Sequence, residues 1–169
     1  MTKRQYKRWF KKVEKFCEQF DKVKSVERDD TNAFASFVED GAVLLPYDFN
    51  NIHPTTAVGT FHFMRHLATV HHKLDAYKYS SNFWSVLHEV GHIYTTRFDV
   101  LSEGLRQYRE MQKGNGFIRE ARRLGLVETD YEYQAMYFNT IFEHDATAWA
   151  VRWVEEHPKE AKYWSKRLK

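Results

Sequence analysis

Apolar side chains recur at intervals of three and four from Tyr6 through Trp9, Phe10, Val13, Phe16, Cys17 and Phe20, a spacing that places them on one face and predicts an amphipathic helix over residues 4–25. Residues 33–39 and 42–47 flank Asp40-Gly41, a dipeptide suited to a tight turn, and predict a short β-hairpin with Pro46 closing its second strand. Residues 50–60 read as a loop, whereas 61–74 fit a helix or a strand equally well. Ser80, Ser81 or Asn82 can cap a helix reaching about Thr96, with Phe83, Leu87, Val90 and Tyr94 as its core stripe. Helical patterns follow over 99–113 and 117–124, separated by Gly114-Asn115-Gly116. Thr129 with Glu132 forms a capping box that opens a long helical pattern, which reaches Glu156 before His157-Pro158 interrupts it. The expected fold class is α+β, a helix-dominated single domain over residues 1–169 with a small antiparallel sheet.

Composition narrows this picture. A chain of 169 residues, 43% hydrophobic and 17% aromatic, can bury one sizeable core and is short for two. No apolar run exceeds four residues, as in Ala42 to Leu45, and none follows the basic residues of MTKRQYKRWFKK. Neither a membrane span nor a secretory signal is expected, and the expected location is the cytoplasm. Cys17 is the single cysteine, so an internal disulfide is excluded, and between Phe16 and Phe20 it reads as a small core residue.

Charge is divided unevenly. Of 26 basic and 23 acidic residues, six lysines and arginines and no acid lie in residues 1–12, and five against Glu160 alone lie in 158–169. The remainder holds 15 basic and 22 acidic residues, so a net charge of +3 conceals basic ends on an acidic middle. Such ends read first as solvated helix faces. With nucleic acid they predict only weak, non-specific binding that salt removes.

The chemistry is concentrated at His88-Glu89-Val90-Gly91-His92, an HExxH pattern inside the predicted helix over 80–96. Residues four apart share a helical face, so both imidazoles can reach one ion while Glu89 lies beside the open coordination position as a general base. A catalytic Zn2+ needs a third protein ligand, and Phe142-Glu143-His144-Asp145-Ala146 offers three candidates. Around Asp145 the residues at three and four positions are Ile141, Phe142, Ala148 and Trp149, all apolar. A carboxylate on such a stripe requires a partner, either a bound cation or a buried Arg. Around Glu143 the same positions hold Asn139, Thr140, Ala146 and Thr147, a more polar face, so Glu143 reads as solvated or outside the ligand set. The expected ligands are His88, His92 and Asp145.

Leu87 to Ile93, followed some fifty residues later by an acidic residue, Ala and an aromatic-Ala pair, resembles the ImmA/IrrE-type zinc metallopeptidases. Their pattern is HExGH and then Glu-Ala-x-x-Phe-Ala, in which the Glu before Ala completes the zinc site. Asp145-Ala146 and Trp149-Ala150 fall on those positions, with Asp one methylene shorter than the usual Glu. The resemblance spans residues 80–155 and is specific at the two motifs. It implies a zincin-like metallopeptidase fold of the gluzincin kind, Zn2+ as cofactor, His88, His92 and Asp145 as ligands and Glu89 as base. An origin in a phage or mobile element is also in keeping with the family.

The expected function is therefore zinc-dependent hydrolysis of peptide bonds in an intracellular protein, which a partner protein presents if the chain has no specificity domain of its own. Two alternatives stay open: a catalytically inactive, zinc-stabilised binding protein, and a nucleic-acid or polyanion binder that uses the basic ends. No second site is expected at the other histidine pairs or at His144. His71 and His72 are adjacent and diverge on a helix, His62 and His66 have no Glu following the first, and His144 points off the metal face.

Overall fold

The computed structural model describes residues 2–29, 34–46, 74–96 and 141–169. Helix α1 (Lys3–Cys17) begins at a capping box: the Gln5 amide donates to Thr2 Oγ1 at 3.2 Å, and the Thr2 amide donates to Gln5 Oε1 at 2.7 Å. It buries Tyr6, Trp9, Val13, Phe16 and Cys17, as the spacing predicts. The helix is shorter than the predicted 4–25. After Cys17 the chain turns, with the Phe20 amide donating to the Cys17 carbonyl and the Val23 amide to that of Phe20. Phe20 therefore continues the apolar spacing from a turn rather than from the helix. Burial, and then the nearby charge of Glu14, push the Cys17 thiol up to about 12, so it packs as an inert core residue.

Strand β1 (Ser25–Asp29) starts at the last residue of the predicted helix and runs through a stretch for which the pattern predicts no element. It runs parallel to β3 (Ala42–Pro46), and β2 (Ala35–Phe37) pairs antiparallel with the other side of β3. The expected hairpin is present as β2 and β3, but the sheet is mixed, in the order β1-β3-β2, and not antiparallel throughout. The correction follows from β1, whose single alternating Val26 between polar neighbours carries little apolar signal. Gly41 turns the chain into β3 at φ 66°, and a Cβ there would lie 2.5 Å from the Lys22 carbonyl oxygen. Strand β3 is buried at every position and forms the floor of the core.

Helix α2 (Ser81–Thr95) is buried from Phe83 to Ile93 except at Ser85, because β2 and β3 cover one side and α3 (Ile141–Glu156) the other. Helix α3 ends at Glu156 as predicted, and Pro158, in the first turn where its missing amide costs nothing, opens α4 (Pro158–Arg167). Phe16 joins these helices, its ring 5.6 Å from Phe83, 5.9 Å from Trp153 and 5.3 Å from Trp164. Among the described residues the architecture is thus four helices around a small three-stranded sheet. The loop over 50–60, the helices over 99–113 and 117–124, the capping box at Thr129 and all of 61–74 but Leu74 lie outside the described residues.

The tightest contact in this core is between α2 and α3. A Cβ on Gly91 would lie 2.4 Å from the Ala146 carbonyl oxygen, a backbone atom that cannot rotate away. Gly91→Ala gains about 1 kcal/mol of helix propensity, but forcing the two backbones apart costs about 1–3 kcal/mol, and the second effect wins. Thermal denaturation should show a melting temperature lowered by about 2–8 °C. An unchanged or raised value would contradict the close contact.

Candidate metal centre

The contact at Gly91 decides which side chains meet. On α2, His88 and His92 are one turn apart, their rings 4.6 Å between centroids, and both are buried. On α3, Ala146 sits against Gly91, so the residues sharing its face, Glu143 one turn before and Ala150 one turn after with Thr147 beside them, point at α2. Glu143 Oε2 lies 2.9 Å from His88 Nε2 and 3.5 Å from His92 Nε2. Among the described residues these three make one buried group whose ligand atoms all lie within 4.8 Å of one another.

Asp145 does not join them. Its side chain is 45% exposed and lies 3.4 Å from His144 Nδ1, on a face of α3 turned away from the two histidines. The carboxylate that the structure brings to the two histidines is instead Glu143, which is only 6% exposed. The physical reason is side-chain size. Apolar neighbours pointed to Asp145, yet Ala148 and Trp149 are half-buried, while the small Ala146, Thr147 and Ala150 form the packed face. Helices approach most closely where their side chains are smallest, and Gly91 on the partner helix was the signal that could have picked out Ala146 and, with it, Glu143.

Thr147 was also missed. Its Oγ1 lies 3.2 Å from His88 Nδ1, on the opposite edge of the ring from Glu143. With a cation held between the three side chains, Nδ1–H would donate to the threonine oxygen and leave the Nε2 lone pair, on the edge that faces His92 and Glu143, free to ligate it. That is the tautomer a metal-ligating histidine requires. Burial would raise the Glu143 carboxyl, but the charge of His92 and hydrogen bonds from His88 and His92 outweigh it and hold the group well below the ordinary carboxylate range. An ionised, buried carboxylate between two imidazole nitrogens fits a divalent cation by charge and by donor type. The group can hold a metal ion.

Glu89 is buried beside this group without belonging to it. Burial pushes its carboxyl up to about 7; the charge of His88 opposes this, that of Glu143 reinforces it, and a hydrogen bond from the Ser36 hydroxyl of β2 opposes it. Tyr94, at the end of α2, is engaged elsewhere: its hydroxyl donates to Asp21 and its ring stacks on Trp149 at 4.8 Å. His144 is exposed, and His62, His66, His71 and His72 lie outside the described residues. Comparison with protein-family models, with curated proteins and with solved structures gave no match to this chain.

Two substitutions separate the acidic candidates. Glu143→Ala should abolish stoichiometric zinc retention during dialysis, measured by atomic emission, whereas Asp145→Ala, on an exposed face, should keep it and change stability by less than about 0.5 kcal/mol. The reverse outcome would return Asp145 to the site. Thr147→Val removes only the bond to Nδ1, and chelator competition should report a metal affinity lowered about 10–100-fold; an unchanged affinity would leave Thr147 as packing alone.

Proposed function

We propose that this chain is a zinc-dependent peptidase of zincin-like fold that hydrolyses peptide bonds in a protein or peptide substrate. His88, His92 and Glu143 are the residues that would hold the ion, and zinc held by three protein ligands supplies Lewis acidity and lowers the pKa of a bound water towards about 7. The reading is carried by one observation: Glu89 is buried next to the ligand group and is not spent within it. A purely structural metal site has no use for a further buried carboxylate, which costs free energy to keep there.

In this role Glu89 takes a proton from the attacking water and delivers it to the leaving amide nitrogen, a general base followed by a general acid. Ser36 holds the carboxylate from β2 while the peptide bond of α2 fixes it one residue from His88, so both acceptor and ligand move with one rigid helix. Thr147 keeps His88 in its ligating tautomer. The resemblance of Leu87 to Ile93 to the ImmA/IrrE-type metallopeptidases supports the same chemistry for His88, Glu89 and His92, while Glu143 lies two residues before the position that its second motif matches.

The test is Glu89→Gln. The variant should retain zinc at the wild-type ratio while new N-termini produced in denatured cellular protein, counted by mass spectrometry, fall by about 10²–10⁴-fold. Equal cleavage by variant and wild type would remove Glu89 from the mechanism. Wild-type protein with a full complement of zinc that generates no new N-termini would instead favour a zinc-stabilised binding protein.

A further inference from the structure

The two basic ends of the chain, far apart in sequence, are one surface in the structure. Trp9 Nε1 donates to the Leu168 carbonyl at 3.1 Å, Phe16 packs on Trp164, and Lys12 Nζ donates to the Arg167 carbonyl at 3.2 Å. These contacts lay α1 beside α4, with Lys12 and Arg167 at the seam. Seven exposed lysines and arginines lie on α1 opposite its buried face, and five more lie in residues 158–169. Only Glu14, Glu18 and Glu160 dilute them there, and none of the twelve makes an ion pair with a carboxylate among the described residues. Collecting like charges in this way destabilises the fold by self-repulsion, and an anionic partner relieves it.

We propose that the joined outer faces of α1 and α4 are a nucleic-acid docking surface that binds the phosphate backbone without reading sequence. Three partners of opposite charge are distinguishable by what else they need. A bilayer-inserting helix keeps an apolar face free for lipid, but Tyr6, Trp9, Val13 and Phe16 are spent on the core. A protein interface is depleted in lysine and centred on apolar anchors, and Tyr163 is the one large apolar side chain exposed on this face among the described residues. Backbone recognition of nucleic acid needs charge and no apolar centre. Lys3, Lys7, Lys11 and Lys15 follow one another at four-residue intervals, about 6 Å apart along the helix, a step comparable to that between successive phosphates of a strand. Tyr163, with the Arg167 guanidinium 4.5 Å over its ring, adds a face on which an unpaired base can stack. Taken separately the ends would neutralise few phosphates; as one surface they neutralise more.

Fluorescence anisotropy of the full chain with a labelled 20-nucleotide single strand and its duplex tests this. Binding at 50 mM salt should weaken by about 10²–10³-fold at 200 mM, the dependence expected for about five phosphates. The pairs Lys7→Glu with Lys11→Glu on α1, and Lys162→Glu with Lys166→Glu on α4, should each lower affinity at least tenfold and flatten the salt dependence, with unchanged far-ultraviolet dichroism and zinc content. No binding at 50 mM salt, or binding insensitive to salt, overturns the proposal. So does an effect confined to one helix, which would deny the joined surface, or tighter binding to phosphatidylserine vesicles than to either nucleic acid. The outcome is independent of whether the chain is a peptidase.

Discussion

Everything at the buried centre depends on two helix backbones touching. Gly91 lets α2 approach the Ala146 carbonyl of α3 to a distance that no side chain would permit, and that single contact sets the rotation and register of the two helices. Because positions one turn apart share a helical face, the register brings Glu143 to one edge of His88 and Thr147 to the other. Moving the backbones apart by even a methyl group would leave two imidazoles and a carboxylate buried and misaligned. Such groups are stable in a protein interior only when each is paired or coordinated.

The surrounding core is built to hold that contact. Strand β3 is buried throughout and supports α2 from below, while β2 brings Ser36 to Glu89. Aromatic rings close the other side: Phe16 reaches Phe83, Trp153 and Trp164, and Tyr94 stacks on Trp149 while bonding to Asp21 after α1. Helices α1, α2, α3 and α4 are thus tied to one another by planar, rigid side chains, which lose little rotamer freedom on packing. The large rings stay at the periphery of the α2–α3 seam and the smallest residues occupy it. That division is why the polar group could be built between these two helices.

Much of this was legible before the structure. Spacing of three and four identified the buried faces of α1 and α2, and the HExxH interval placed His88 and His92 on one side of a helix. Asp40-Gly41 marked the turn into β3. Two kinds of information were not in those patterns. Strand β1 has one apolar residue, Val26, between polar ones, and its place is dictated by pairing with β3 rather than by its own composition. Helix α3 carries small and polar residues on its packed face, so hydrophobicity pointed to Asp145 while close approach selected Glu143. Apolar periodicity reports where large side chains are buried; it is blind to a seam made of glycine and alanine.

Anomalous diffraction at the zinc absorption edge from crystals of zinc-loaded protein tests most directly whether His88, His92 and Glu143 hold a metal ion. One anomalous peak is predicted, about 2.0–2.2 Å from the Nε2 atoms of His88 and His92 and from a carboxylate oxygen of Glu143, with Asp145 in solvent. A peak ligated by Asp145, or full zinc-binding conditions that leave no peak between α2 and α3, would contradict the account.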